Sequence, residues 1–96
     1  MNAGGEPVVR ETLTICNEKG LHARAAAKFV SCAAAWRSDI TVEKGGVAVG
    51  GDSIMGLMML AAAKGCTIEV TAVGSDATDA VAALKTLVDG RFDEER

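Results

Sequence analysis

Gly20-Leu21-His22-Ala23-Arg24-Ala25-Ala26-Ala27-Lys28-Phe29 is the stretch around which the rest of the chain is organised. It holds the protein's one histidine, and its apolar positions run on as Ala26, Phe29, Val30 and Ala33. That i, i+3, i+4, i+7 spacing is the buried face of a helix, and the alanines add intrinsic helix propensity. Gly20 supplies a turn, so His22 falls at or just before the first helical turn. Backbone N–H groups lack partners there and the helix dipole presents its positive end, which suits such a start to an anion. Arg24 adds a fork of donors matched to phosphate oxygens.

A neutral imidazole carries a lone pair on one ring nitrogen and titrates near neutrality, so His22 can attack phosphorus without a separate base. The candidate chemistry is therefore a phosphoryl group carried on His22, its oxygens held by the helix N–H groups and Arg24. Spacing alone leaves the other reading open, an exposed or capping histidine with no chemistry.

Working outward, Val8 to Cys16 alternates, with Val9, Leu13 and Ile15 on one face and Arg10, Thr12 and Thr14 on the other. This predicts a half-buried first strand. The helix is expected over about Ala23 to Ala35. Asp39 to Lys44 predicts a second strand, Gly45-Gly46 a hairpin, and Val47 to Val49 a short third strand. A short helix follows from Ser53 to about Leu60 or Ala63, stopped by Gly65. Thr67 to Val73 alternates as a fourth strand. Ser75 or Asp76 caps a last helix with Ala77, Val81, Leu84 and Val88 on one face, ended by Gly90. The order βαββαβα, with one apolar face per strand, asks for an α+β two-layer sandwich of the split-βαβ kind, helices on one side only.

Ninety-six residues suit one domain. The expected boundaries are a flexible leader at 1–7, a single domain at 8–90 and a solvated charged tail at 91–96. Apolar residues make up 49% of the chain, too many for a disordered one, while aromatics make up only 3%, so aliphatic side chains must fill the core. A net charge of −3 and few aromatics argue against a nucleic-acid partner. No apolar run is long enough to cross a bilayer and the polar start is no signal peptide, so a cytoplasmic location is expected. Cys16, Cys32 and Cys66 are odd in number and lack CxxC spacing. They read as small buried hydrophobes, with neither disulfide, metal nor cofactor expected.

Three blocks together identify a family. Gly20-Leu21-His22-Ala23-Arg24 resembles the active-site signature of HPr, the histidine phosphocarrier of the bacterial phosphoenolpyruvate-dependent phosphotransferase system. Asp52-Ser53-Ile54-Met55-Gly56-Leu57-Met58 resembles that family's regulatory-serine segment, and Ala63 to Val70 the strand after it. The match runs from about Val9 to Val88 in the family's order. It implies an open-faced sandwich, a four-stranded antiparallel sheet covered by three helices. It also implies a carrier that passes through a phosphohistidine rather than an enzyme with a small-molecule substrate of its own. Enzyme I would charge His22, at Nδ1, and IIA-type proteins would accept the group.

Ser53 reads from the residues as a helix N-cap. The resemblance adds regulatory phosphorylation there by an ATP-dependent kinase, which a helix start tolerates electrostatically. The run Ile54, Met55, Leu57, Met58, Met59, Leu60 cannot bury its whole circumference against one sheet. Leu57 and Leu60 are expected in the core and Ile54, Met55 and Met58 partly exposed, where they match the family's docking patch. Flexible thioethers suit a surface that meets several partners. Arg24, Ala27, Lys28 and Ser31 would complete it, and a patch that must stay free favours a monomer. Two positions depart from the family pattern: Ala25 stands where many members have proline, and Lys19 where small polar residues are common. The alternatives are a regulatory interaction module of the same fold, working through Ser53 and the Met55/Met58 patch, or a carrier in a nitrogen-related branch.

Overall fold

In the computed structural model, which describes residues 6–96, alternation in the sequence becomes alternation in burial. The elements are β1 (Val8–Thr14), α1 (Ala23–Ala33), β2 (Asp39–Lys44), β3 (Val47–Gly50), α2 (Ile54–Met59), β4 (Thr67–Val73) and α3 (Ala77–Asp89). The sheet runs β1-β4-β2-β3, every pair antiparallel. β4 lies between the first two strands, in register from Val8↔Val73 to Thr14↔Thr67 on one side and from Asp39↔Val73 to Glu43↔Glu69 on the other. Gly45 and Gly46, at φ +59° and +83°, make the two-residue turn whose twist matches the strands it joins.

Three helices cover one face, the expected open-faced α+β sandwich. Leu13, Val42, Ile68, Val70 and Ala72 from the sheet meet Ala26, Phe29, Leu57, Val81, Leu84 and Val88 from the helices in one core. The other face is polar: Arg10 lies 3.5 Å from Glu43 and 3.6 Å from Glu69, and Thr12 donates to Glu69 at 2.8 Å. These exposed pairs contribute little stability and keep that face wet.

The structure corrects several expectations. The first helix ends at Ala33, with Ala34 as its cap, rather than at Ala35. α2 ends at Met59 with Leu60 as its cap, the nearer of the two expected ends, but it is stopped by Ala61, which takes the left-handed turn at φ +51°, rather than by Gly65. That turn brings the Ala62 carbonyl to Leu21 N–H at 2.9 Å, so the helix is cut short by the loop that carries the histidine. Asp76 occupies the α3 cap position but makes no cap bond. Its carboxylate instead accepts from Arg37 N (2.8 Å), Ser38 N (3.0 Å) and Ser38 Oγ (2.5 Å), which hold it below the ordinary aspartate pKa. The three cysteines are free and half-buried rather than sealed in the core.

The largest correction concerns 91–96, expected as a solvated tail. Phe92 is fully buried, and Arg91, Phe92 and Asp93 form a tight turn with φ of +60°, +54° and +64°. Left-handed backbone costs an L-residue about 1 kcal/mol or more. Full burial of the Phe92 ring offsets this by about 3 kcal/mol. The expected leader at 1–7 lies outside the described residues except for Glu6 and Pro7, both exposed, and the Pro7 carbonyl already accepts from Gly74 N at 3.0 Å.

Candidate functional site

The loop between β1 and α1 places the histidine. Gly20 has φ +66°, and a Cβ there would come within 2.5 Å of the Ala62 carbonyl oxygen, so both backbone and space demand glycine. Leu21 is buried beside it and anchors the loop. His22 is then the N-cap of α1, in extended conformation, and its side chain makes no cap bond. Ala26 N bonds the His22 carbonyl at 2.8 Å, while the N–H groups of Ala23, Arg24 and Ala25 precede the first intrahelical bond. The helix start is open, as an anion site requires. It forms without proline, with Ala25 fully buried in its first turn.

The imidazole is 28% exposed and sits between two hollows. One, of about 370 Å³, is lined by Glu18, Lys19, Arg24 and the 94–96 segment as well as His22. The other, of about 230 Å³, is lined by Lys19, Leu21 and Ala61 to Ala63. Arg24 shares the larger hollow with the ring, is exposed, and forms no ion pair among the described residues. Lys19 borders both.

Sequence reasoning missed the residues on the far side of the ring. His22 Nε2 lies 2.5 Å from Glu94 Oε2, and Asn17 Nδ2 donates to Glu94 Oε1 at 3.0 Å and to the Gly20 carbonyl at 2.8 Å. Burial on its own pushes the Glu94 carboxyl up. Hydrogen bonds from His22 and Asn17, with the charges of His22 and Lys19, outweigh it and hold the pKa below the ordinary value. Lys28, expected on the free docking face, donates to the Phe92 carbonyl at 2.9 Å and faces Asp93 at 3.6 Å. It ties the end of the chain down. The one readable signal was Phe92, a large apolar residue set in a run of charges.

Ser53 is the N-cap of α2, its Oγ accepting from Gly56 N at 2.9 Å. On α2, Leu57 is buried; Leu60, its C-cap, is buried too. Ile54, Met55 (69% exposed) and Met58 face solvent, and Met59, absent from the expected patch, is the most exposed of them at 76%. Ala27 and Ser31 are exposed on α1, which packs against α2.

A family model described as the PTS HPr component phosphorylation site matches residues 9–89. The chain belongs to the HPr family, the phosphocarrier component of the phosphotransferase system. Among relatives of the family, phosphocarrier protein HPr of Neisseria meningitidis serogroup A is 46% identical over 87 residues, covering 91% of this chain and 98% of that one. Phosphocarrier protein NPr of Shewanella violacea is 43% identical over 82 residues, covering 85% and 90%. The crystal structure of HPr-C-His from Thermoanaerobacter tengcongensis superposes with a TM-score of 0.87 at 41% identity, covering 92% and 99%. The HPr-family sandwich is thus reproduced across nearly the whole chain.

Proposed function

We propose that this HPr-family chain accepts a phosphoryl group on His22 Nδ1 from phosphorylated enzyme I and passes it to IIA-type proteins. The observation that carries the reading is the partly exposed imidazole at an uncapped helix start, sharing its hollow with an arginine that forms no ion pair among the described residues. The ring lone pair attacks phosphorus, and the bond from phosphorus to the donor breaks with its electron pair leaving on the donor. The α1 N–H groups and Arg24 supply positive potential to the phosphoryl oxygens in transit and afterwards, so positioning and electrostatics do the catalytic part. Lys19 adds charge at the rim.

The docking surface is Arg24, Ala27 and Ser31 on α1 with Ile54, Met55, Met58 and Met59 on α2. The chain works as a monomer in the cytoplasm, with that face free for each partner in turn. None of the described helices is long and apolar enough to cross a membrane. Ser53 receives a regulatory phosphate from an ATP-dependent kinase, placing negative charge beside the methionines without removing acceptors from the helix start. A second reading, a carrier in a regulatory branch beside sugar uptake, draws on the different name of the Shewanella relative. Transfer assays against IIA proteins of each branch separate the two.

The test is incubation with purified enzyme I and labelled phosphoenolpyruvate. His22→Ala is expected to abolish the acid-labile label, and label that survives the change overturns the reading. For the second site, Ser53→Ala is expected to lose the acid-stable label that the kinase and ATP install.

A further inference from the structure

Among the described residues, Glu94 is the one carboxylate bonded to the His22 ring, and its geometry is held from three directions. The buried Asn17 amide is oriented unambiguously, because Nδ2 bonds the Gly20 carbonyl, which can only accept. The second N–H of that Nδ2 therefore points to Glu94 Oε1. Phe92 fills a buried site two residues earlier, and Lys28 ties the Phe92 carbonyl and Asp93. Glu18 N donates to the Arg96 carbonyl two residues later, at 2.9 Å. Glu94, 15% exposed, is the point at which this strap meets the ring.

We propose that Glu94, clamped by Asn17, is a positioning residue that keeps the ring proton of His22 on Nε2 and so reserves Nδ1 for the phosphoryl group. This rests on the reading of His22 as the acceptor. An ionised carboxylate only accepts, so a ring nitrogen 2.5 Å from it must donate. A neutral imidazole has one proton, and with that proton on Nε2 the lone pair is on Nδ1. The lowered carboxyl pKa agrees with an ionised Glu94. When the P–N bond forms at Nδ1 the ring gains positive charge while Nε2 keeps its proton, and the carboxylate already faces that charge. The carboxylate acts on the nitrogen away from the incoming phosphoryl group, so it orients and stabilises the ring without occupying the attack position.

The clamp makes a sharp test, because glutamine is nearly isosteric but inverts the logic. In Glu94→Gln, Asn17 still needs an acceptor and takes the glutamine Oε1, which turns the glutamine N–H toward His22 Nε2. Nε2 must then accept, and the ring proton moves to Nδ1. Long-range ¹H–¹⁵N spectra of the unphosphorylated protein, taken well above the ordinary histidine pKa, are expected to show the Nε2–H tautomer in the native chain and the Nδ1–H tautomer in Glu94→Gln. The phosphorylation rate by enzyme I is expected to fall about 10- to 100-fold in Glu94→Gln, and by less in Glu94→Ala, where water replaces the carboxylate. Both variants keep Phe92, and the amide signals of Lys28 and Phe92 report that the strap stays down. Retention of the Nε2–H tautomer in Glu94→Gln, or a Gln variant that is charged as fast as the Ala variant, overturns the proposal. The tautomer readout needs no phosphoryl transfer, so its failure is distinguishable from a failure of His22→Ala to lose label.

Discussion

α1 and α2 start in opposite ways. At α2 the cap residue, Ser53, closes its own helix by accepting from Gly56 N. At α1 the cap residue, His22, leaves the first N–H groups alone and turns its ring toward Glu94. An uncapped start forgoes about 1 kcal/mol. Such local sacrifice of stability is expected where backbone donors are kept for a ligand. The stability lacking at α1 is replaced from a distance, by the buried Leu21, the Gly20–Ala62 approach and the strap at the end of the chain.

His22→Ser breaks the contrast most completely, since it gives α1 the cap that α2 has. It is expected to lose all acid-labile labelling while exceeding His22→Ala in unfolding free energy by about 1 kcal/mol in urea titrations. Next in size is Phe92→Ala, which removes the strap's anchor and is expected to cost about 3–5 kcal/mol by the same measurement. An unchanged stability would mean that α1 stands without the strap. Ser53→Ala opens the closed start and is expected to cost about 1 kcal/mol.

The smallest effect is the pH dependence of the Glu94 contact. Its pKa is lowered in the folded chain, so its contribution is complete above the ordinary carboxylate value near 4.5 and is lost as pH falls through the lowered folded value. Glu94→Gln is expected to remove that contribution on the neutral side, so stability falls there, changes little in acid below the lowered value, and the pH profile between the two flattens by that component.

The parts of the fold governed by local periodicity were legible in the sequence. β2, β4 and the Gly45-Gly46 hairpin fall where alternation and turn chemistry placed them, and α1 begins at Ala23 as the Gly20 break and the alanine run required. What was hidden depends on contacts between distant residues. No window around Ala61 says that Leu21 N–H will need the Ala62 carbonyl, so the sequence left the end of α2 open between Leu60 and Ala63. Residues 91–96 look like solvated charge until Phe92 is seen to fill a buried site beneath Lys28. Asn17 and Glu94 went unnoticed for the same reason: 77 positions separate them, and neither belongs to a local motif. The exposure of Met59 was a matter of helical phase on a helix of only six residues, too short for the pattern to be decisive.

The strand order carries a consequence for how the chain acquires its shape. β1 and β2 share no ladder pairing; both pair with β4, which begins more than twenty residues after β2 ends. No sheet spanning both can form until Thr67–Val73 arrives between them. Assembly therefore waits on non-local pairing, the kind of contact that slows folding relative to a helical bundle, and a stretch ending before Thr67 would hold the histidine loop without the strand that joins β1 to β2.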